Sequence, residues 1–177
     1  MGTDKALLPW RGQPLIASVA STMKTILDEV IIVADKPARY DLLKLQCIED
    51  IYKQCGPLGG IHAGLTHLKP RGVFVLACDT PFVPADLIRY LIDYDSDASV
   101  VVPSLDGKTH PLCGVYTPSS LSAITNQLES GQRRVLDLLD VVPTTVVPIT
   151  RDLPFFRDNI LANVNTLDDY ANGSRER

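Results

Sequence analysis

Val73-Phe74-Val75-Leu76-Ala77-Cys78-Asp79-Thr80-Pro81 is the stretch whose reading decides the fold. Five apolar residues without helical spacing and then a cysteine precede an acid and, two positions on, a proline. A short continuous apolar run of this kind fits a strand covered on both faces, as in a parallel sheet. Pro81 ends the run because it cannot donate to a ladder. In open α/β sheets ligands bind beyond the carboxyl ends of the strands, so Asp79 stands at a ligand-binding edge. A single carboxylate there suits Mg²⁺, which takes one or two carboxylates and completes its shell with phosphates and water. The plainer reading is that Asp79 caps the helix expected from Pro84.

The same pattern recurs on either side. Val30-Ile31-Ile32-Val33-Ala34 and Ser99-Val100-Val101-Val102 read as buried strands, and Cys47-Ile48-Glu49-Asp50 as a shorter one. Between them lie amphipathic stretches. Pro14 to Leu27 sets Leu15, Ile16, Val19, Met23 and Ile26 on one helical stripe. Gly60 to Leu68, Pro84 to Tyr94 and Ser119 to Leu128 behave likewise, the last stopping near Gly131. Strands alternating with helices predict an α/β fold, a doubly wound layered sandwich. No linker or repeat divides residues 1–177, so one domain is expected, with a polar tail from Asn172 to Arg177.

Composition narrows the function. The net charge of −4 and a 21% share of charged residues argue against a broad basic face, and hence against nucleic acid as partner. No apolar run approaches the roughly 18 residues of a membrane helix and no signal segment opens the chain. Cys47, Cys55, Cys78 and Cys113 lack any C-x-x-C spacing, so reduced thiols are expected rather than a zinc or redox site. A cytoplasmic protein is the expectation.

Further residues bear on chemistry. Gly56-Pro57-Leu58-Gly59-Gly60 precedes the helix expected from Gly60, and its glycines let backbone amides approach a ligand at the positive end of a helix. Lys5 near the first loop suits a nucleotide phosphate, or simply solvent. Asp50 ends a strand as Asp79 does, and reads as a ligand for a base or ribose or as a solvated loop acid. Arg133 and Arg134 follow a helix, where arginine forks suit phosphate. Asn163-Val164-Asn165-Thr166 offers helix caps. His110 reads as structural, and His62 and His67, five apart, are poorly spaced for a shared metal.

Taken in order, these segments resemble the MobA family of molybdenum cofactor guanylyltransferases, from Met1 to about Ala171. Met1-Gly2-Thr3-Asp4-Lys5 matches the end of the family's glycine-rich opening signature. Gly56 to Gly60 resembles its G-P-L-x-G segment, and Cys78-Asp79-Thr80-Pro81 its C-D-x-P metal motif. Gly131-Gln132-Arg133-Arg134 and Asn163-Val164-Asn165-Thr166 resemble its later motifs. The resemblance implies a Rossmann-like, three-layer αβα sandwich of the nucleotide-diphospho-sugar transferase type. It implies transfer of GMP from GTP to molybdenum-molybdopterin with release of pyrophosphate, Mg²⁺ as cofactor, and molybdopterin-delivery proteins and acceptor molybdoenzymes as further partners. By the same resemblance Asp79 holds the metal, and Lys5 and Asp79 carry catalysis. Lys5, Asp50 and Asp79 bind the nucleotide. Gly56, Pro57, Gly59, Gly60, Arg133, Arg134, Asn163 and Asn165 face the pterin side. It also implies a strand and glycine-rich loop ahead of Met1, and it leaves Val33 where some members carry a nucleotide-contacting Asn. A cytidylyltransferase for the same cofactor, a sugar-nucleotide enzyme, or a non-catalytic binding module of the same fold are the alternatives.

Overall fold

The computed structural model describes residues 4–68 and 72–164. In chain order the elements are β1 (Pro9–Trp10), β2 (Gln13–Pro14), α1 (Leu15–Lys24), β3 (Ile31–Ala34), β4 (Gln46–Glu49), α2 (Gly56–Leu68) and β5 (Val73–Leu76). They continue with α3 (Ala85–Ile92), β6 (Val100–Leu105), β7 (Lys108–Thr109), β8 (Cys113–Tyr116), α4 (Leu121–Glu129), α5 (Val135–Leu139) and β9 (Thr144–Pro148). No helix among the described residues is long and apolar enough to cross a membrane.

The apolar strands sit between two helical layers. Along β6, Val100 and Val102 enter a core with Leu58, Ile61 and Leu65 of α2 and Ile124 and Leu128 of α4. Val101 between them turns to the opposite layer, with Leu87, Ile88 and Leu91 of α3. Side chains alternate across a strand, so a run apolar at every position has to be covered on both faces. The result is the expected αβα sandwich.

The sheet departs from the parallel expectation. β5 and β6 both pair antiparallel with β8, which lies between them, and only β9 runs parallel to β6. β3 and β4 form a separate parallel pair. The apolar runs recorded double-sided burial correctly, but burial does not reveal strand direction. The helix expected from Pro14 to Leu27 is shorter, closing at Lys24.

Gly56 to Gly60 is also not a loop before a helix: it is the first turn and more of α2. Tertiary packing overrides the weak helix propensity of glycine there. Leu58 is fully buried, and a Cβ on Gly59 would meet the Tyr52 carbonyl at 3.0 Å and the Cys55 Cβ at 3.2 Å. Gly131 acts as expected. Its φ of 79° lets its N–H reach the Leu128 carbonyl while Gln132 N–H reaches that of Gln127, closing α4.

At Gly114 of β8 the ladder with β6 comes unusually close. A Cβ there would lie 2.3 Å from the Val101 carbonyl oxygen and 2.8 Å from Val102 Cγ1. Overpacking of a rigid core costs about 1–3 kcal/mol or more, and about 2–4 °C is lost per kcal/mol in a chain of this size. Gly114→Ala is therefore expected to lower the thermal midpoint by about 2–12 °C in a calorimetric scan. An unchanged midpoint would show that β6 yields freely at this crossing.

Candidate active site

Three strands end in an acid on one side of the molecule: Asp35 follows β3, Asp50 follows β4, and Asp79 lies shortly beyond β5. Cys78 packs in the same small cluster as Ala34, with Ala6, Ile32 and Tyr40. Ala34 and Cys78, at the carboxyl ends of β3 and β5, therefore pack against one shared cluster.

Asp79 is half-buried in a turn, and it does not cap α3: the N-cap there is Pro84, with no side-chain bond. Its Oδ2 instead accepts a hydrogen bond from Asn163 Nδ2 at 3.2 Å, and its carbonyl accepts the Val164 N–H at 2.7 Å. Val164 is buried with Trp10, Leu15 and Phe82, and Trp10 meets Phe82 edge-on at 5.5 Å. That small apolar cluster fixes the C-terminal segment against the Asp79 turn. Asn163 thus joins Asp79, as two of the site residues read from sequence. Asn165 lies outside the described residues.

Lys5 opens a turn of 3₁₀ helix capped by Asp4, whose Oδ1 accepts the Ala6 N–H at 3.2 Å. The other oxygen of Asp4 accepts from the Tyr40 hydroxyl at 2.9 Å, and Arg39 stands 3.8 Å away. Burial, and then the Asp79 and Asp4 carboxylates, push the Cys78 thiol up to about 11, while Lys5 pulls it down. The Cys78 thiol thus stays neutral and feels the charges of Asp79, Asp4 and Lys5. All four cysteines are free. His62 is buried edge-on against Tyr52, His67 bonds Gln46, and burial and then Lys108 lower the His110 pKa. The two arginines stand apart: Arg134 is exposed and ion-paired with Asp137 at 3.7 Å, Arg133 is exposed, and neither lines the cleft described next.

That cleft, of about 680 Å³, is bordered by Asp4, Asp35, Lys36, Arg39, Tyr40, Asp50 and, from α2, Gly56, Pro57 and Gly60. Asp50 sits against the glycines: a Cβ on Gly60 would be 3.8 Å from its Oδ1, and one on Gly59 4.0 Å. That oxygen is buried without a hydrogen-bond partner. Burial, and then the neighbouring Asp35 carboxyl, raise the Asp50 pKa to about 6. Sequence reasoning missed Asp35 and Tyr40. The rule that found Asp79 and Asp50, an acid at the carboxyl end of a strand, applies equally to Asp35. Tyr40 carries no comparable signal. No group of three or more His, Cys, Asp or Glu that could hold a metal occurs among the described residues. Asp79, a lone carboxylate beside an amide at an accessible edge, nonetheless fits a cation that takes most of its ligands from phosphate and water.

The carboxyl pair makes stability depend on pH with a definite sign. Asp50 binds its proton more tightly folded than unfolded, so between about pH 4 and 6 the folded state holds more protons. Stability then falls as pH rises through this window. Asp50→Asn removes the ionisation and is expected to flatten that slope and raise the urea midpoint at pH 8. A steeper slope or a lower midpoint would show that the Asp50 charge is stabilising.

Comparison with known proteins agrees with this geometry. Residues 1–145 match the MobA-like NTP transferase domain. The chain is 30% identical over 171 residues to a probable molybdenum cofactor guanylyltransferase of Flavobacterium johnsoniae, covering 96% of this chain and 87% of the relative. It is 31% identical to one of Carboxydothermus hydrogenoformans, over 96% of this chain and 86% of the relative. Among solved structures it is similar to molybdopterin-guanine dinucleotide biosynthesis protein A of Archaeoglobus fulgidus, at a TM-score of 0.84 and 24% identity, covering 98% of this chain and 90% of that one. It also shares its fold with 2-C-methyl-D-erythritol 4-phosphate cytidylyltransferase of Thermus thermophilus, at a TM-score of 0.71 and 14% identity, covering 96% and 92% of the two chains. A three-layer sandwich with acids at adjoining strand ends, matched over most of its length, makes this chain a member of the MobA-like NTP transferase family.

Proposed function

We propose that this chain transfers GMP from GTP to molybdenum-molybdopterin in the cytoplasm. The carrying observation is the Asp79 carboxylate, held just beyond the end of β5 by Asn163. The names of the relatives support the choice of substrates.

An oxygen of the molybdopterin phosphate attacks the α-phosphorus of GTP. The new P–O–P bond forms as the bond from the α-phosphorus to the bridging α–β oxygen breaks, and pyrophosphate leaves with the electron pair. The attacking phosphate is ionised at neutral pH, so no strong base is required and His110 has no obligatory role. The obstacle is repulsion between anions, and the protein lowers it by positioning and by charge. Asp79 holds Mg²⁺, which supplies neutralisation of phosphate charge when bound. Lys5 adds a point charge at the same phosphates.

Asp50 serves the guanosine. The Asp50 carboxyl lines the cleft, and guanine offers N–H donors that a carboxyl oxygen accepts. Gly56, Pro57, Gly59 and Gly60 lie at the junction of the nucleotide and pterin, and Asn163 extends from Asp79 to the pterin side. Arg133 and Arg134 belong to the pterin side by family resemblance only, since both are exposed and neither lines the cleft. Asn165 belongs to the same side by family resemblance.

Asp79→Ala is expected to reduce GMP transfer by about 100-fold or more, the scale on which single electrostatic contacts to a reacting centre act. Its thermal midpoint should stay near that of the parent, because the Val164 bond to residue 79 uses only backbone. Turnover is measured with Mg²⁺, molybdenum-loaded molybdopterin and either GTP or CTP. Near-parental turnover in folded Asp79→Ala would exclude the metal role, and a preference for CTP would exclude the guanylyl assignment.

A further inference from the structure

Away from the cleft, helix α3 carries a second pattern. Asp86, Arg89, Tyr90 and Asp93 recur at i, i+3, i+4 and i+7, the spacing of one helical face. Leu87, Ile88 and Leu91 point the other way and are buried in the core. The outward face borders an open depression of about 410 Å³, which Tyr94, Asp95 and Phe155 complete.

The wall of this depression is aromatic. Tyr90 meets Tyr94 edge-on with ring centroids 5.9 Å apart, and Phe155 at 5.5 Å and a tilt of 54°. All three rings are half-buried, so each packs partly on the core and leaves the rest to solvent. The rim is acidic: residues 86–97 carry Asp86, Asp93, Asp95 and Asp97 against Arg89 alone. Among the described residues no ion pair takes up any of these five. Asp93 is moreover the C-cap of α3, where the helix dipole is negative and favours a cation. Acids therefore crowd the wrong end of a helix, an arrangement that a cation from outside relieves. Aromatic faces attract cations as well, and the carboxylates add attraction of the same sign at longer range.

We propose that this depression docks a basic segment of a partner protein, with one arginine stacked on the rings of Tyr90, Tyr94 and Phe155 beside Asp93 and a second basic side chain at Asp86. The spacing of the acids sets the occupant. Asp86 and Asp93 are seven residues apart, about 10 Å along the helix at about 1.5 Å per residue. One small cation cannot neutralise both. A polyproline-II segment turns once in about three residues and rises about 3.1 Å at each. Its basic residues at i and i+3 then share a side about 9 Å apart, which matches the two acids. Arginine suits the ring position better than lysine, because its planar guanidinium stacks on an aromatic face while it forks to a carboxylate. Arg89, which also borders the depression, opposes the incoming charge. This inference stands on α3 and its surroundings and does not depend on the proposed reaction.

The test uses the full, isotope-labelled chain and the acetylated, amidated peptide Gly-Arg-Pro-Pro-Arg-Gly, titrated at low salt and followed by NMR. The peptide is expected to move the amide signals of Tyr90, Asp93, Tyr94 and Phe155 to saturation, and added salt should weaken it. Tyr90→Leu, which keeps apolar volume and removes the π face, and Asp93→Asn should each weaken binding by about 10-fold. Arg89→Gln should tighten it, a response that damage to the fold would not produce. The same peptide with glutamine at both arginines should leave the signals in place. Absence of shifts with the arginine peptide, or parental affinity in both Tyr90→Leu and Asp93→Asn, would overturn the proposal. So would equal affinity for tetramethylammonium, which would make the depression a small-cation pocket. Shifts at these residues that grow with protein concentration in the absence of peptide would assign the face to a second copy and overturn it too.

Discussion

Helix α2 is the constraint on which the other parts depend. Its apolar face puts Leu58, Ile61 and Leu65 into the core that also holds Val73, Val100, Val102 and Tyr116, and its other contacts reach β3. It therefore spans the two sheets. Gly56, Gly59, Gly60 and Gly64 within its 13 residues make it a poor helix in isolation, each glycine costing about 1 kcal/mol against alanine. Burial of its leucines and isoleucine, at about 1.5–3 kcal/mol each, outweighs that cost. At Gly59 a larger residue would crowd the Tyr52 carbonyl and Cys55, whereas at Gly60 a Cβ would meet Asp50 and Val33 only at ordinary contact distance. The same substitution pattern that weakens the helix brings its amino end against a carboxyl group.

The acids at the strand ends then divide into two environments. Asp50 is half-buried, crowded by Asp35, and has one carboxyl oxygen without a partner, so it holds a proton to about pH 6. Asp79 has an amide donor in Asn163 and a lysine in the neighbourhood. A group with an unused acceptor suits recognition of a neutral donor. A carboxylate oriented by a neighbouring amide suits the charged end of a ligand. The division matches what a nucleotide presents, a base at one end and phosphates at the other.

Much of this was legible in the sequence, for identifiable reasons. The strands around Val73 and Val100 announced themselves because double-sided burial leaves no polar position in the run. Asp79 and Asp50 were found because a strand end is a fixed place in an α/β fold. What failed was information held in other parts of the chain. The antiparallel position of β8 between β5 and β6 depends on a pairing of distant residues, and nothing local in Val73–Leu76 encodes it. Gly56–Gly60 looked like a loop because its composition is that of a loop, and only the packing of Leu58 makes it helical. The hairpin at Asp106-Gly107 is a different case. Both residues have positive φ, 49° and 78°, and join β6 to β7 in two residues, the arrangement that an Asp-Gly pair favours. That signal was present and passed over.

The small cluster of Trp10, Leu15, Phe82 and Val164 shows how distant parts of the chain make one local geometry. Phe82 lies just past the Asp79 turn, Trp10 in the β1–β2 hairpin, and Val164 late in the chain. None touches a reacting group in the proposed mechanism. Yet Val164 can donate to the Asp79 carbonyl only while its side chain is anchored, and Asn163 reaches the Asp79 carboxylate only because its neighbour is held. A carboxylate on a turn would otherwise sample several rotamers, and a charge that must face a phosphate loses its effect with small displacements. Apolar burial, which is non-directional, is here converted into a directed carboxylate by one backbone and one side-chain hydrogen bond. The site is thus as rigid as the packing of four side chains that sequence motifs do not mark.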